Sequence, residues 1–266
     1  MTEDPTPLDR AHAAMEAAPE DATLRLRFYE ALVEAELILW LAADPAPGAD
    51  PAPALFDTED GRLALSFDNE ARLAAFTGAP APYAALPGRA LVQMLAGQGI
   101  GLGLNLGVAP SSFLLGAEAI DWLAETLAVA PEPMQSRPVH LAPPRLPPEV
   151  IAALDRKLAR AAGLASHALL AEARWSDGRE GHLLALVGAV AGAEQALAQA
   201  LGEALIFSGQ EATVLDVAFL AENDALTGRL AGQALRFDLP SGAQPETDAP
   251  GPQPPGSDPN RPPRLR

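Results

Sequence analysis

The sequence predicts an α+β protein: two small mixed α/β domains, each a largely antiparallel or mixed sheet packed with helices, followed by a disordered C-terminal tail. Strand-like and helix-like stretches interleave in both halves of the chain, which points to mixed layers rather than to one barrel. Residues 131–148, "PEPMQSRPVHLAPPRLPP", carry seven prolines, too many for a helix to run through them. From residue 240 onward nine of 27 residues are proline, none is aromatic, and Leu265 is the only large aliphatic, so this stretch cannot bury enough apolar surface to fold. The expected organisation is a first domain over 1–131, a linker over 132–147, a second domain over 148–239 and a tail over 240–266.

Each element has its own warrant. Thr6-Pro7-Leu8-Asp9 has the form of a capping box with proline at the first helical position, predicting a helix over 7–18. Leu24, Phe28 and Leu32 recur every four residues, the period of an amphipathic helix, and "LILWLA" at 37–42 reads as a strand. Leu63, Leu65 and Phe67 alternate after Asp60-Gly61, predicting a β-hairpin, and Asp68 or Asn69 can cap a helix reaching Phe76. A helix over 87–96, a glycine-rich strand, and a helix over 116–128 burying Ile120, Leu123 and Leu127 complete the first half.

In the second half Val150, Leu154 and Leu158 mark one face of a helix that opens with Pro147 and Pro148. Two strands follow about Asp177-Gly178, then a helix over 193–206 and the strand "TVLDVAFLA". A short helix capped at Asn223 or Asp224 and the strand "ALRFDL" close the domain.

Composition removes several classes of function. The chain has no cysteine, hence no disulfide, thiolate nucleophile, zinc knuckle or iron–sulfur cluster. Its formal net charge is -17, and residues 1–131 alone hold 19 acids and 6 bases. Phosphate backbones and anionic membranes recruit clustered Lys and Arg, so neither nucleic acid nor membrane is an expected partner. The acidic amino terminus and the lack of a long apolar run lead to the expectation of a cytoplasmic protein.

The stretch most like a catalytic or cofactor loop is "GIGLGLNLGVAP" at 99–110. Gly101, Gly103 and Gly107 come near a dinucleotide-binding spacing, but three residues rather than two separate Gly103 from Gly107, and no helix opens at the last glycine. A close-packed strand with a turn over 105–107 is the expectation. His12, His140, His167 and His182 are scattered, without metal-ligand spacing. Ser111 and Ser112 could meet His140 or His182 in space, but no Gly-x-Ser-x-Gly elbow is present. Lys157, the only lysine, flanks an apolar helical stripe and is expected to snorkel to solvent. Asp57, Glu59 and Asp60 read as a solvated turn rather than a cation loop. Trp40, Trp122 and Trp175 sit among aliphatic residues and are expected in the core. No catalytic, cofactor or metal residue is therefore assigned, and no cofactor is expected.

Several stretches taken together resemble the SseB family, bacterial proteins named for enhanced serine sensitivity. In the first half these are "FYEALVEAELIL", "LFDTEDGRLALSFDNEARLAAF" and "GLNLGVAPSSFLLGAEAIDWL", the last like the family's Asn-Pro-Gly segment with Leu106 in the place of proline. In the second half "LPPEVIAALDRKLAR" and "TVLDVAFLAENDAL" are similar to the family's C-terminal domain. The resemblance implies a two-domain α+β protein and, through the family's name alone, a link to serine metabolism. The functional expectation is a non-enzymatic protein that binds another protein. A sensor holding a small metabolite between the domains is the alternative, and an uncharacterised hydrolase the third reading.

Overall fold

The computed structural model describes residues 4–45, 51–59, 61–128, 136–209 and 214–240. The tail predicted to be disordered and residues 132–135 of the predicted linker lie outside the described residues, except for Pro240. Among the described residues eight helices and eleven strands form two compact units that interleave along the chain. Unit 1 comprises Met1–Gln135, Leu146–Leu154 and Gln195–Val214, and unit 2 comprises Ser136–Arg145, Asp155–Glu194 and Leu215–Arg266. Among the described residues no helix is long and apolar enough to cross a membrane.

Unit 1 begins with α1 (Pro7–Ala17), whose capping box is formed as the sequence predicts: Thr6 accepts from the Asp9 N–H and Asp9 accepts from the Thr6 N–H. The chain continues through α2 (Ala22–Glu34), β1 (Glu36–Trp40), and the hairpin of β2 (Leu55–Thr58) and β3 (Gly61–Phe67), to α3 (Glu70–Thr77). Gly61, at φ +122°, supplies backbone geometry that a side chain would resist. Next come β4 (Tyr83–Pro87), α4 (Gly88–Leu95), β5 (Ile100–Leu104), β6 (Phe113–Leu115) and α5 (Ala117–Ala128). β4 carries no strand signal in sequence, because Pro80, Pro82 and Pro87 punctuate it. Its pairing with β1 from Glu36↔Pro87 to Trp40↔Tyr83 forms it nonetheless.

The first sheet has the order β4-β1-β3-β5-β6, with β2 also paired to β3. It is mixed, because β3 and β5 run parallel. One face is buried by α1, α2, α4 and α5 through residues such as Leu8, Phe28, Leu91 and Ile120, against Leu37, Leu39, Leu102 and Leu104. Phe207 of α7 (Glu194–Phe207) enters the same core. Arg89 of α4 adds two hydrogen bonds of 2.8 Å to Glu203 of α7, and Gln199 donates to the Leu127 carbonyl.

Unit 2 holds a five-stranded sheet, β10-β9-β8-β11 with β7 paired to β8. Its strands are β7 (Pro138–Ala142), β8 (His167–Trp175), β9 (Glu180–Val187), β10 (Leu215–Leu220) and β11 (Leu235–Asp238). β7 lies within the stretch predicted as a linker. An edge strand with a register shift between Pro138 and His140 tolerates proline, which has no N–H to donate to a ladder. Leu169, Ala171, Trp175, Leu183 and Val187 pack with Leu230 of α8 (Ala225–Ala231). α6 (Pro148–Arg160), whose residues as far as Leu154 belong to unit 1, buries Val150, Leu154 and Leu158 as its periodicity predicts. Lys157 departs from expectation: its side chain is buried rather than extended to solvent.

Leu102 and Leu104 of β5 point into the main core, whereas Gly101 and Gly103 face the opposite side of the sheet. A Cβ at Gly103 would lie 2.6 Å from Leu65 Cδ2 and 2.7 Å from Leu106 Cδ1. Leu65 and Leu106 thus cover the space that a side chain at Gly103 would need. At Gly101 the added Cβ would run into the Leu115 carbonyl oxygen. The glycines thus serve close packing rather than phosphate binding. The two sites should respond differently to alanine. Gly103→Ala displaces only side-chain ends, while Gly101→Ala must move the β6 backbone and should lose more stability, within the ~1–3 kcal/mol typical of overpacking. Urea unfolding of the two variants checks the order.

Candidate functional site

Two features of the first sheet stand out: a buried ionic hub at one end, and a half-open aromatic face that the hub helps to build. The hub centres on Arg72 of α3. Its Nη1 donates to Asp68 Oδ1 at 2.7 Å and to Asp9 Oδ1 at 3.1 Å, and its Nη2 donates to Asp9 Oδ2. All three side chains are no more than 8% exposed. Asp68 also accepts from the Thr6 hydroxyl at 2.6 Å, joining the first turn of α1 to the end of β3.

Asn105 and Ser111 complete the network. Asn105 takes positive φ, +49°, which its short polar side chain tolerates. Its backbone N–H donates to the Ser66 carbonyl, its Oδ1 accepts from the Asp68 N–H at 3.1 Å, and its Nδ2 donates to Ser111 Oγ at 2.9 Å. Ser111 in turn donates to Asp9 Oδ1 at 2.6 Å. Burial pushes the Asp9 carboxyl upward, but donation by Arg72, Ser111 and the Thr6 N–H, with the Arg72 charge, prevails and holds it well below the usual carboxylate range. The same carboxylates raise the Arg72 guanidinium against its own desolvation.

Chemically this hub is a clamp. Ser111 spends its proton on Asp9 and accepts from Asn105, and Ser112 accepts from the Gly107 N–H. Both belong to unit 1, while His140 and His182 belong to unit 2. Each serine thus has hydrogen-bond partners other than a histidine. His12 lies edge-on to Phe28 and Phe113, with centroids 5.6 and 5.7 Å away, and His167 lies 3.8 Å from Glu222. Asp57 and Glu59 are exposed, and Asp60 lies outside the described residues. Among the described residues no group of three His, Asp or Glu side chains could hold a metal ion.

The second feature is the sheet face opposite the main core. Ile38, Leu65 and Phe67 lie there, with Leu73 of α3 packed over them. Trp40, Phe56, Leu63, Leu106 and Val108 flank them and remain partly accessible. The rings are contiguous: Trp40 to Phe56 at 5.0 Å, Trp40 to Phe76 at 6.0 Å and Phe76 to Phe67 at 5.4 Å. Tyr83 pairs with Trp40 across β4 and β1, so its ring stands on the same face. Phe76 and Tyr83 are 39% and 41% exposed. Beside them α3 and the start of β4 enclose an open groove of about 370 Å³, lined by Leu73, Pro80 and Tyr83 and by Glu70, which accepts from the Tyr83 hydroxyl at 2.7 Å.

Of the tryptophans expected in the core, Trp175 is buried there, Trp40 borders this face, and Trp122 is 40% exposed. Trp122 instead leans on Tyr29 from the outer side of α5, with centroids 5.7 Å apart. A large amphipathic ring can cover a helix without being enclosed.

The α3 helix links the two features, because eight residues are too few for a helix to stand alone. Asn69 caps its start by accepting from the Arg72 N–H, Gly78 ends it at φ +66°, and the Arg72 side chain ties it to the hub. Phe76 is thereby set against Trp40. Sequence reading catches Asp9 as a capping residue and Asn105 as a turn residue, but misses their convergence on Arg72, 63 positions after Asp9.

Residues 8–122 match the family model described as the SseB protein N-terminal domain. By this match those residues form an SseB N-terminal domain. No curated protein and no solved structure matches the chain. The SseB match contains the hub apart from Thr6, the groove and every ring of the aromatic face.

Asp9→Asn removes one of the two carboxylates that balance buried Arg72 and should cost about 3 kcal/mol at neutral pH. Because the folded carboxyl titrates below its unfolded value of ~3.9, the stabilisation is complete above that value and is lost as pH falls. The wild-type advantage over Asp9→Asn, read by urea unfolding, should be level between pH ~7 and ~5 and shrink below ~4. Ser66 Oγ, fully buried beside the hub, has no hydrogen-bond partner. Ser66→Ala should therefore be neutral or stabilising in the same assay, as removal of an unsatisfied buried hydroxyl allows.

Proposed function

We propose that this SseB-family protein is non-enzymatic and acts by binding another protein through the open aromatic face of its SseB domain. The observation that carries this reading is the concentration of rings. Trp40, Phe56, Phe67, Phe76 and Tyr83 are five of the thirteen aromatic residues of the whole chain, and they share one sheet face. All but the buried Phe67 are partly open to solvent; rings so placed lower stability relative to buried ones, and their enrichment on a surface is characteristic of interface cores. The groove beside them offers an apolar floor with one carboxylate, a mixture suited to a peptide segment rather than to a small charged metabolite. The polar groups at the other end of the sheet are committed to one another, which supports a structural role for the hub.

Full-length protein immobilised in lysate of the source organism is expected to capture a saturable partner, and Phe76→Ser with Tyr83→Ser is expected to abolish capture. Both side chains are well exposed, so the fold should survive their loss. Trp122→Ala, equally exposed on α5, should leave capture intact. Capture indifferent to the face variant, or turnover of a metabolite by the pure protein, would overturn the reading.

A further inference from the structure

β4 is the last strand of the first sheet and, among the described residues, pairs only with β1. Two flanking bonds fix the phase of that ladder: the Leu41 N–H donates to the Pro82 carbonyl at 2.9 Å, and the Gly88 N–H donates to the Ala35 carbonyl at 2.8 Å. Such bonds alternate along an antiparallel pair, so Ala84 and Leu86 turn their backbone groups to β1, while the N–H and C=O of Tyr83 and Ala85 point outward. Among the described residues no other backbone group meets them. Pro82 and Pro87 bracket this opening, so that it suits one short strand. Sheet edges are usually blunted by charge, a bulge or a covering segment. β4 has no charged residue, and its register with β1 is unbroken from Glu36↔Pro87 to Trp40↔Tyr83.

Charge singles out the occupant. Residues alternate between faces along a strand, so Tyr83, Ala85 and Pro87 share the open face with Trp40, Ile38 and Glu36 of β1. Two exposed carboxylates therefore stand there, Glu36 beside Pro87 and Glu70 at the Tyr83 hydroxyl. The described strands put no lysine or arginine on that face. We propose that β4 takes an extended segment of a partner protein as an additional strand, with an apolar residue against Ala85 and a basic one two positions to either side, one reaching Glu70 and the other Glu36. The proposal rests on reading this face as a binding surface and names the chemistry of what it binds. Backbone bonds supply the attachment, and alternate side chains supply the choice. Arginine suits the Tyr83 end, because its planar guanidinium stacks on a ring and pairs with a carboxylate. Like charge opposes a second copy in the same place, since residues 1–131 hold 19 acids against 6 bases.

The probe is the peptide acetyl-Arg-Thr-Val-Thr-Arg-amide, whose side chains alternate identically in either strand direction. Titrated into isotope-labelled full-length protein, it should shift the amide signals of Tyr83 and Ala85 saturably and slow their hydrogen exchange, because these N–H groups acquire acceptors. The same peptide with N-methylvaline at its centre has no donor for the Ala85 carbonyl and should not bind. Ala85→Pro should not bind the original peptide either, since it removes an outward N–H and leaves the bonds to β1 in place. Glu70→Gln should weaken binding about two- to fivefold, the worth of one exposed ion pair. Glu36→Lys with Glu70→Lys should reverse the preference, to acetyl-Glu-Thr-Val-Thr-Glu-amide. No binding, shifts without slowed exchange at Tyr83 and Ala85, equal binding of the N-methylated peptide, or no preference for arginine over glutamate overturns the proposal. Slowed exchange that appears with rising protein concentration and no peptide assigns the edge to a second copy and also overturns it. If Phe76→Ser with Tyr83→Ser abolishes partner capture while Ala85→Pro leaves capture intact, the face binds without strand addition; this inference then fails and the proposed function stands. Peptide bound at β4 as described, with no partner captured through the rings, leaves the strand site standing and removes the proposed function.

Discussion

Arg72 is a guanidinium taken almost wholly out of water, and a buried cation persists only where carboxylates and further hydrogen bonds replace its hydration. Asp9 and Asp68 supply the charge, Thr6 and Ser111 donate to their remaining acceptor sites, and Asn105 accepts from the Asp68 N–H and holds Ser111 in place. The six contributors come from four places: the start of α1, the end of β3, the start of α3 and the turn after β5. Four segments are thus joined at one end of the sheet around a single buried cation. The aromatic face inherits its shape from this arrangement, since α3 is too short to hold its position by backbone hydrogen bonds alone.

The first sheet is asymmetric for the same reason. Its main face is closed by four helices, with Phe28, Leu32, Leu37 and Leu102 fully enclosed. The other face has only α3, and beyond that cover rings and leucines remain in partial contact with solvent. An apolar surface of this kind works against solubility, which the high net charge of the first half offsets. Acidity and an open aromatic patch therefore belong together physically, since like charge on the first half opposes the self-association that such a patch favours.

The glycine-rich stretch shows how local pattern misleads about chemistry while informing about packing. Alternation of glycine with leucine in β5 splits the strand into two faces, with leucines turned to the core and glycines turned to leucines of β3 and the following turn. Close approach of leucine side chains requires an absent Cβ as much as close approach of a phosphate does. Only the element that follows tells the two apart, and here it is the Asn105 turn rather than a helix.

Periodicity, caps and turn residues determined most of the elements, because those signals act within a few residues. The Thr6–Asp9 capping box, the pairing of β2 with β3, the Asn69 and Asp224 caps and the apolar stripe of α6 all form as read. Strand β4 is the exception in the first half, since proline masks its signal and pairing with β1 forms it. Lys157 and Trp122 depart from their expected places because a helical wheel ranks faces without saying what, if anything, covers them. The SseB resemblance was legible in the first half because its motifs are local strings. The candidate site was not legible. Arg72 meets Asp9 across 63 positions and Ser111 meets Asp9 across 102, and Tyr83 stands beside Trp40 only by strand register. Contacts at such separations depend on which strands pair and which helix lies over them, and that choice is made by the tertiary structure.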